Sequence, residues 1–440
     1  SGIRARGYRL LTLRVFERIA GEGHETVCYC HDRATGLRAV IAIHSTALGP
    51  SLGGVRFRPY DDEDQAVEDV LRLSRAMSYK NAAAGLDLGG GKAVIIGDPA
   101  TIKTDDLMRA YGRFVDGLNG RYLTAEDVGT TQHDMDVISE LTRHVTGVDP
   151  ARGGSGDPSP ATALGVFEAM RAVAAHLWGD ASLRGRRVTV SGIGKVGSDL
   201  CAHLVSAGAE VAVADVNEAA LEAVTARFAK AEVVPVEKAH MTDCDIYSPC
   251  ALGGVLNETT IPELRCAAVV GAANNQLATE ADAERLRDAG VTYAPDFIVN
   301  AGGVINIAEE LHAEGYDHDR AMERVRRIHE TTLAVLRRAE ADGVTTEIAA
   351  ERLAEGRLKR RPAQLRARRR SAAFRRTRCW RTSGSLTCRV PSTTGRRCSR
   401  RRARSSSRSL GPATRPRFWA SRGTSVRPTT GSSRTTAIGR

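Results

Sequence analysis

Between residues 26 and 58 apolar and polar positions alternate, which predicts strands over 26–30, 37–44 and 55–58. Turn residues separate them at Asp32-Arg33-Ala34-Thr35-Gly36 and Leu48-Gly49-Pro50. From residue 61 to 78 the period lengthens: Ala66, Val70, Leu71, Leu73 and Met77 recur at helical spacing, behind an acidic run, Asp61-Asp62-Glu63-Asp64, that suits a helix N-terminus. That helix delivers Lys80 at its C-terminal end. A short buried strand over 93–97 and a helix from Thr104 to about Leu118 come next. A strand over 122–124 then opens into Ala125-Glu126-Asp127-Val128-Gly129-Thr130, and a loop carboxylate at a strand end is a common place for chemistry.

A Gly/Pro/Ser run over 152–160 marks the expected domain boundary. Beyond it the pattern becomes strand (188–190), helix (198–206), strand (211–214), with Gly192-Ile193-Gly194-Lys195-Val196-Gly197 directly after the first strand and Asp215 closing the second. This meets the context a dinucleotide-binding fingerprint requires: Gly192 for the tight turn, Gly194 for close approach of a pyrophosphate to the helix N-terminus, and Gly197 for helix-to-sheet packing. The Asp215 carboxylate can accept from ribose hydroxyls and repels a 2′-phosphate, so NAD is expected rather than NADP. Further strands at 246–247, 268–270 and 291–293 end in small or polar residues, which places Asn274 and Asn300 at the carboxyl edge where open α/β sheets bind ligands. Helices are expected over 319–341 and 345–357.

Between Lys80 and Lys92 lies Gly89-Gly90-Gly91. Three consecutive glycines before a lysine read as a ligand-approaching turn rather than a packing element, the floor of a small pocket flanked by two ammonium groups.

Charge divides the chain sharply. Of 63 basic and 52 acidic residues, the segment 358–440 holds 24 arginines, Lys359 and no Asp or Glu. It therefore carries +25, and residues 1–357 hold 38 basic against 52 acidic. An acidic body gives no reason to expect nucleic-acid binding by the globular part, although the basic segment could bind phosphates by charge alone. That segment is expected to be disordered, or to arise from a shifted reading frame of a G+C-rich gene. No long apolar run or signal peptide is evident, so a cytoplasmic protein with free thiols is expected, with Cys28 and Cys30 as strand thiols rather than metal ligands.

Taken together and in order, Leu48-Gly49-Pro50…Gly53-Gly54, Met77-Ser78-Tyr79-Lys80-Asn81, Gly89-Gly90-Gly91-Lys92, Thr124 to Thr130, Gly271-Ala272-Ala273-Asn274-Asn275-Gln276 and Ala294 to Gly303 resemble the glutamate/leucine/phenylalanine/valine dehydrogenase family, from about Leu13 to Arg357. Its branched-chain members are the nearest in pattern. The resemblance implies two α/β domains: a catalytic one over 1–149, with a helix over 331–357 packing back on it, and a Rossmann-type doubly wound NAD-binding one over 150–330. It implies reversible, NAD-dependent oxidative deamination of valine, leucine or isoleucine to a 2-oxo acid and ammonia, in a homo-oligomer without metal. By the same resemblance Lys80, helped by Gly53 and Gly54, pairs with the substrate carboxylate. Lys92, with a lowered pKa, activates water, and Asp127 shuttles protons. Leu52, Ala125, Val304 and Ile307 form an apolar side-chain pocket, Leu52 standing where glutamate-specific members carry a lysine. Asn274 lies at substrate and cofactor; Asn300, Thr162, Lys195 and Val196 join the glycines and Asp215 around the cofactor. A phenylalanine-specific enzyme of the same family, or a nucleotide-binding module acting through its basic tail, remain alternative readings.

Overall fold

The computed structural model describes residues 15–360 of the chain. The expected disorder or frame shift over 358–440 falls almost wholly outside them.

The first sheet contains β1 (Thr26–Asp32), β2 (Leu37–Ser45), β3 (Ser51–Arg58), β4 (Gly89–Ile96) and β5 (Tyr122–Glu126), in the order β1-β2-β4-β3-β5. β1 and β2 form an antiparallel hairpin, β2 pairs antiparallel with β4, and β3 runs parallel to both β4 and β5. Two of these strands begin earlier than the alternation predicts. β3 takes in Leu52-Gly53-Gly54, and β4 takes in all three glycines of the supposed turn. Glycine contributes nothing to a hydrophobic pattern, so the periodicity could not see them.

The helix Glu63–Ala83 starts where Asp62 accepts a hydrogen bond from the Gln65 amide at 2.8 Å, a cap worth about 1 kcal/mol. It runs a turn beyond its predicted end, so Lys80 lies in its last turn. Asn81 ties that turn to the sheet: its Nδ2 donates to Leu52 O at 3.2 Å and Gly89 O at 2.6 Å.

The second sheet holds β6 (Arg187–Ser191), β7 (Glu210–Ala214), β8 (Glu232–Val233), β9 (Ile246–Pro249), β10 (Ala268–Val269) and β11 (Thr292–Tyr293). Their order is β11-β10-β9-β6-β7-β8, parallel throughout. The chain builds outward from β6 through β7 to β8, then returns to β9 on the other side, so a crevice opens at the carboxyl ends of β6 and β9.

A helix that the pattern did not reveal, Ser159–Trp178, joins the two sheets. It begins inside the Gly/Pro/Ser run and is buried on almost every side from Ala161 to Ala174, so it has no polar stripe to betray its period. The helix expected over 319–341 is two, His318–Arg326 and Ile328–Asp342, meeting at Arg327. Ile328–Asp342 packs on Ser159–Trp178, and Thr346–Arg360 packs on Glu63–Ala83. Small residues, Ala82, Ala83, Ala339, Ala349, Ala350 and Ala354, let Glu63–Ala83, Ile328–Asp342 and Thr346–Arg360 close around Leu48, Ile298 and Val335.

Candidate active site

The glycines of β4 explain how two lysines from different elements meet. Side chains alternate along a strand, so Gly90 and Lys92 share a face and Gly91 takes the other. A Cβ on Gly90 would lie 2.0 Å from the backbone nitrogen of Ser78, and one on Gly91 would lie 2.7 Å from the Tyr122 ring. The helix Glu63–Ala83 thus rests directly on β4 at Gly90. Two residues further along the strand, on the same face, stands Lys92; half a turn further along the helix stands Lys80. The triple glycine is a packing element after all: none of its members lines the cavity.

That cavity, about 290 Å³, lies between the two sheets. Gly53, Gly54, Lys80, Lys92, Ala125 and Asp127 line it from the first, and Thr162, Asn274, Asn300, Val304 and Ile307 from the second side. Gly54 makes room for the carboxylate, because a Cβ there would lie 2.8 Å from the Asp127 Cβ. Leu52, expected in the pocket, is not part of the lining. Its side chain is fully buried in a cluster with Leu86, Leu88, Leu123 and Val304.

Lys92 Nζ donates to Asp127 Oδ2 at 2.9 Å in a largely buried ion pair. The same oxygen accepts from Arg56 Nε at 3.1 Å, and Arg56 Nη1 reaches Asp69 at 3.0 Å. Burial alone would raise the Asp127 pKa, but Lys92 and Arg56 together hold it below the usual carboxylate value. Arg56 went unnoticed in the sequence; its signal is a lone arginine two residues beyond Gly54, on the same face of a buried strand.

Across the cavity, Lys80 Nζ donates to Asn274 Oδ1 at 3.2 Å, which also accepts from Asn300 Nδ2 at 2.9 Å. Desolvation, which the sequence reading placed on Lys92, acts strongly on Lys80: burial lowers its pKa to about 8, Lys92 adds to the drop, and Asp296 and Asp127 oppose it. Asn300 is buried, and its Oδ1 has no hydrogen-bond partner. Leu73, Ala76, Met77 and Phe297 also line it, with Arg56, Glu126 and Asp296 among its further charged residues. The first three are the helical neighbours of Lys80 on one face, a spacing legible in the sequence once the face is known.

At the crevice of the second sheet, Gly192 adopts φ +104°, and a Cβ there would strike Ala251 N at 2.7 Å. Gly197 is pressed against Gly192 O, whereas a Cβ on Gly194 would meet nothing within 4 Å. Gly194 is the N-cap of the helix Lys195–Ser206 and supplies no side chain to its free amides. This is the geometry a pyrophosphate needs. Asp215 accepts from the amides of Ile193 and Asn217, which fixes its carboxylate beside the glycine turn. Lys195 and Val196 occupy the first helical turn; Lys195 pairs with Asp157 at 2.9 Å. Thr162 Oγ1 donates to Pro158 O at 3.0 Å on the cavity wall. These residues fit a dinucleotide.

Comparison with known proteins settles the family. Residues 24–144 match the description "Glu/Leu/Phe/Val dehydrogenase, dimerisation domain", and 153–223 with 212–361 match "Glutamate/Leucine/Phenylalanine/Valine dehydrogenase". The chain belongs to this family. It is an NAD-dependent amino-acid dehydrogenase. A valine dehydrogenase of Streptomyces albus is 53% identical over 349 residues, spanning 79% of this chain and 94% of that protein. A leucine dehydrogenase of Bacillus cereus is 48% identical over 348 residues, with the same two shares, 79% and 94%. Among solved structures, L-tryptophan dehydrogenase from Nostoc punctiforme is 45% identical, with a TM-score of 0.69 over 78% of this chain and 98% of that one.

Proposed function

We propose that this dehydrogenase oxidises a branched-chain L-amino acid of the leucine or valine type to its 2-oxo acid and ammonia. The observation that carries the reading is the convergence of Lys80, Lys92 and Asp127 on one cavity where Ala125, Val304, Ile307, Leu73 and Met77 supply an apolar stretch of wall and the further cation, Arg56, is already paired with Asp127 and Asp69. Two cations and an acid suit the α-amino acid head. The apolar wall offers no partner to a second carboxylate, which argues against glutamate. The valine and leucine dehydrogenases among its relatives support the same substrate class.

Lys80 receives the substrate α-carboxylate, whose negative charge favours its ammonium form despite burial. Gly53 and Gly54 keep the neighbouring backbone free of side chains. The glycine turn and Asp215 would hold NAD, which would supply the acceptor for the hydride leaving the substrate Cα. Lys92 takes a proton from the water that attacks the resulting imine carbon, and Asp127 supplies one to the departing nitrogen. Their 2.9 Å contact lets a proton pass directly from one to the other. Arg56 keeps Asp127 oriented.

An aromatic substrate is the second reading, because a 45%-identical relative is a tryptophan dehydrogenase. The working form is a homo-oligomer, supported by the dimerisation-domain match over residues 24–144. Steady-state kinetics of two variants test the division of labour. Lys80→Ala is expected to raise the amino-acid KM most, and Lys92→Ala to lower kcat at saturating substrate; interchange of the two patterns would overturn the assignment.

A further inference from the structure

Asp127 is held by an arginine that is held in its turn. Arg56, on β3, donates from Nε to Asp127 Oδ2 at 3.1 Å and from Nη1 to Asp69 Oδ2 at 3.0 Å. Asp69 belongs to the helix Glu63–Ala83, one turn before the cavity residue Leu73, and does not itself line the cavity. The same Asp69 oxygen accepts from Tyr60 Oη at 2.9 Å, and its other oxygen accepts from Arg72 Nη2 at 2.9 Å. The side chains of Arg56 and Asp69 are 18% and 13% exposed, against 55% for Arg72. A line of hydrogen-bonded charges thus runs from the helix surface to Asp127 and, through the same Oδ2, to Lys92 Nζ at 2.9 Å.

Arg56 stands between two carboxylates, and Asp127 stands between two cations. Around Asp69 are Arg56 from β3, Tyr60 from the segment after β3, and Arg72 from its own helix; Arg58 covers the Tyr60 ring at 4.9 Å. Burial works to raise the Asp69 pKa, but Arg56, Tyr60 and Arg72 hold it below the usual carboxylate value, so Asp69 is an anion at neutral pH. Around Asp127 are Lys92 from β4 and Arg56 from β3, with Lys80, Glu126 and Tyr122 also within electrostatic reach. Geometry matters beside charge. A guanidinium facing a single carboxylate readily takes it in a two-pointed fork, which occupies both oxygens. Here Asp69 draws Nη1 away, and both cations of Asp127 meet one oxygen, Oδ2.

On the reading of Asp127 as the proton shuttle of the deamination, we propose that Asp69 is a positioning residue: by holding one arm of Arg56 it prevents the guanidinium from closing on both oxygens of Asp127 and keeps the second oxygen available to the reacting nitrogen. Without Asp69 the full charge of Arg56 turns to Asp127. That carboxylate becomes both less basic and less accessible, so the proton it takes from Lys92 and passes to nitrogen moves more slowly. Substrate and NAD binding, which depend on Lys80 and the glycine turn, are untouched.

Steady-state kinetics of L-valine oxidation by NAD provide the test. Asp69→Asn keeps the shape and drops the charge; it should lower kcat about tenfold to a hundredfold, with the KM of valine and of NAD each within about twofold of the parent. A parental kcat, or a loss carried mainly by KM, marks a merely structural role and overturns the proposal. Arg56→Gln supplies the second readout. Because Asp69 works through Arg56, the double variant Asp69→Asn/Arg56→Gln should be no slower than Arg56→Gln alone, within about twofold; losses that multiply overturn the proposal. Tyr60→Phe loosens Asp69 without removing it and should lower kcat about threefold at parental KM. It decides the matter where Asp69→Asn does not fold: parental kinetics in Tyr60→Phe then overturn the proposal. Asp127→Asn separates this role from the shuttle itself. A parental kcat in that variant removes the shuttle reading, whereas a large loss in Asp127→Asn beside parental kinetics in Asp69→Asn removes only the role of Asp69.

Discussion

At Gly90 the space a side chain would fill is already taken by the Ser78 backbone, and at Gly91 by the Tyr122 ring; at Gly194 that space is empty to beyond 4 Å. Both segments are glycine-rich, both precede a lysine or contain one, and both look like ligand loops in the sequence. In β4 the protein itself uses the missing side chains, to bring a helix and a strand close enough for Lys80 and Lys92 to share a cavity. In the turn after β6, Gly192 and Gly197 are likewise consumed by internal contacts, and Gly194 alone is left for something the protein does not contain. Glycine content therefore marks close approach, and only the neighbours decide whether the approaching partner is protein or ligand.

Variants at both segments can break this comparison. The largest effect is expected where β4 ends in chemistry. Lys92→Ala should lower kcat by about 10²–10⁴-fold while leaving NAD affinity nearly unchanged; a loss confined to KM would show that Lys92 only binds. Gly90→Ala comes next. With Ser78 N in the way, it should cost about 3 kcal/mol of stability in denaturant titration, and activity should fall with the folded fraction. A variant as stable as the parent would return Gly90 to the status of a loop residue. Gly194→Ala should do the reverse, changing stability by less than about 0.5 kcal/mol and raising the NAD KM about tenfold. The smallest change is expected from Asp215→Asn, which should narrow the preference for NAD over NADP about several-fold, because the amides of Ile193 and Asn217 can still hold the amide oxygen.

The same contrast shows what the sequence made legible. The dinucleotide turn could be read because its meaning is local: strand, glycines, helix and Asp215 lie within one βαβ unit. Lys80, Lys92 and Asp127 were placed by motif, and they do meet in space. The purpose of Gly89-Gly90-Gly91 was misread, since it depends on a helix packed across the strand. Arg56 escaped for a related reason: it is an ordinary charged residue until its tertiary neighbour, Asp127, is known. Leu52 sits one residue before the cavity-lining pair Gly53-Gly54, and the alternation of β3 turns it into the hydrophobic cluster instead. The helix Ser159–Trp178 escaped because complete burial erases the amphipathic signal.

The most direct test of the account is NADH formation by the unaltered protein with L-valine, L-leucine, L-phenylalanine and L-glutamate in turn, at saturating NAD. A cavity with one carboxylate anchor and an apolar stretch of side wall predicts the highest kcat/KM with valine or leucine and negligible turnover of glutamate. Preferred oxidation of glutamate, or no NADH with any of the four, would contradict it.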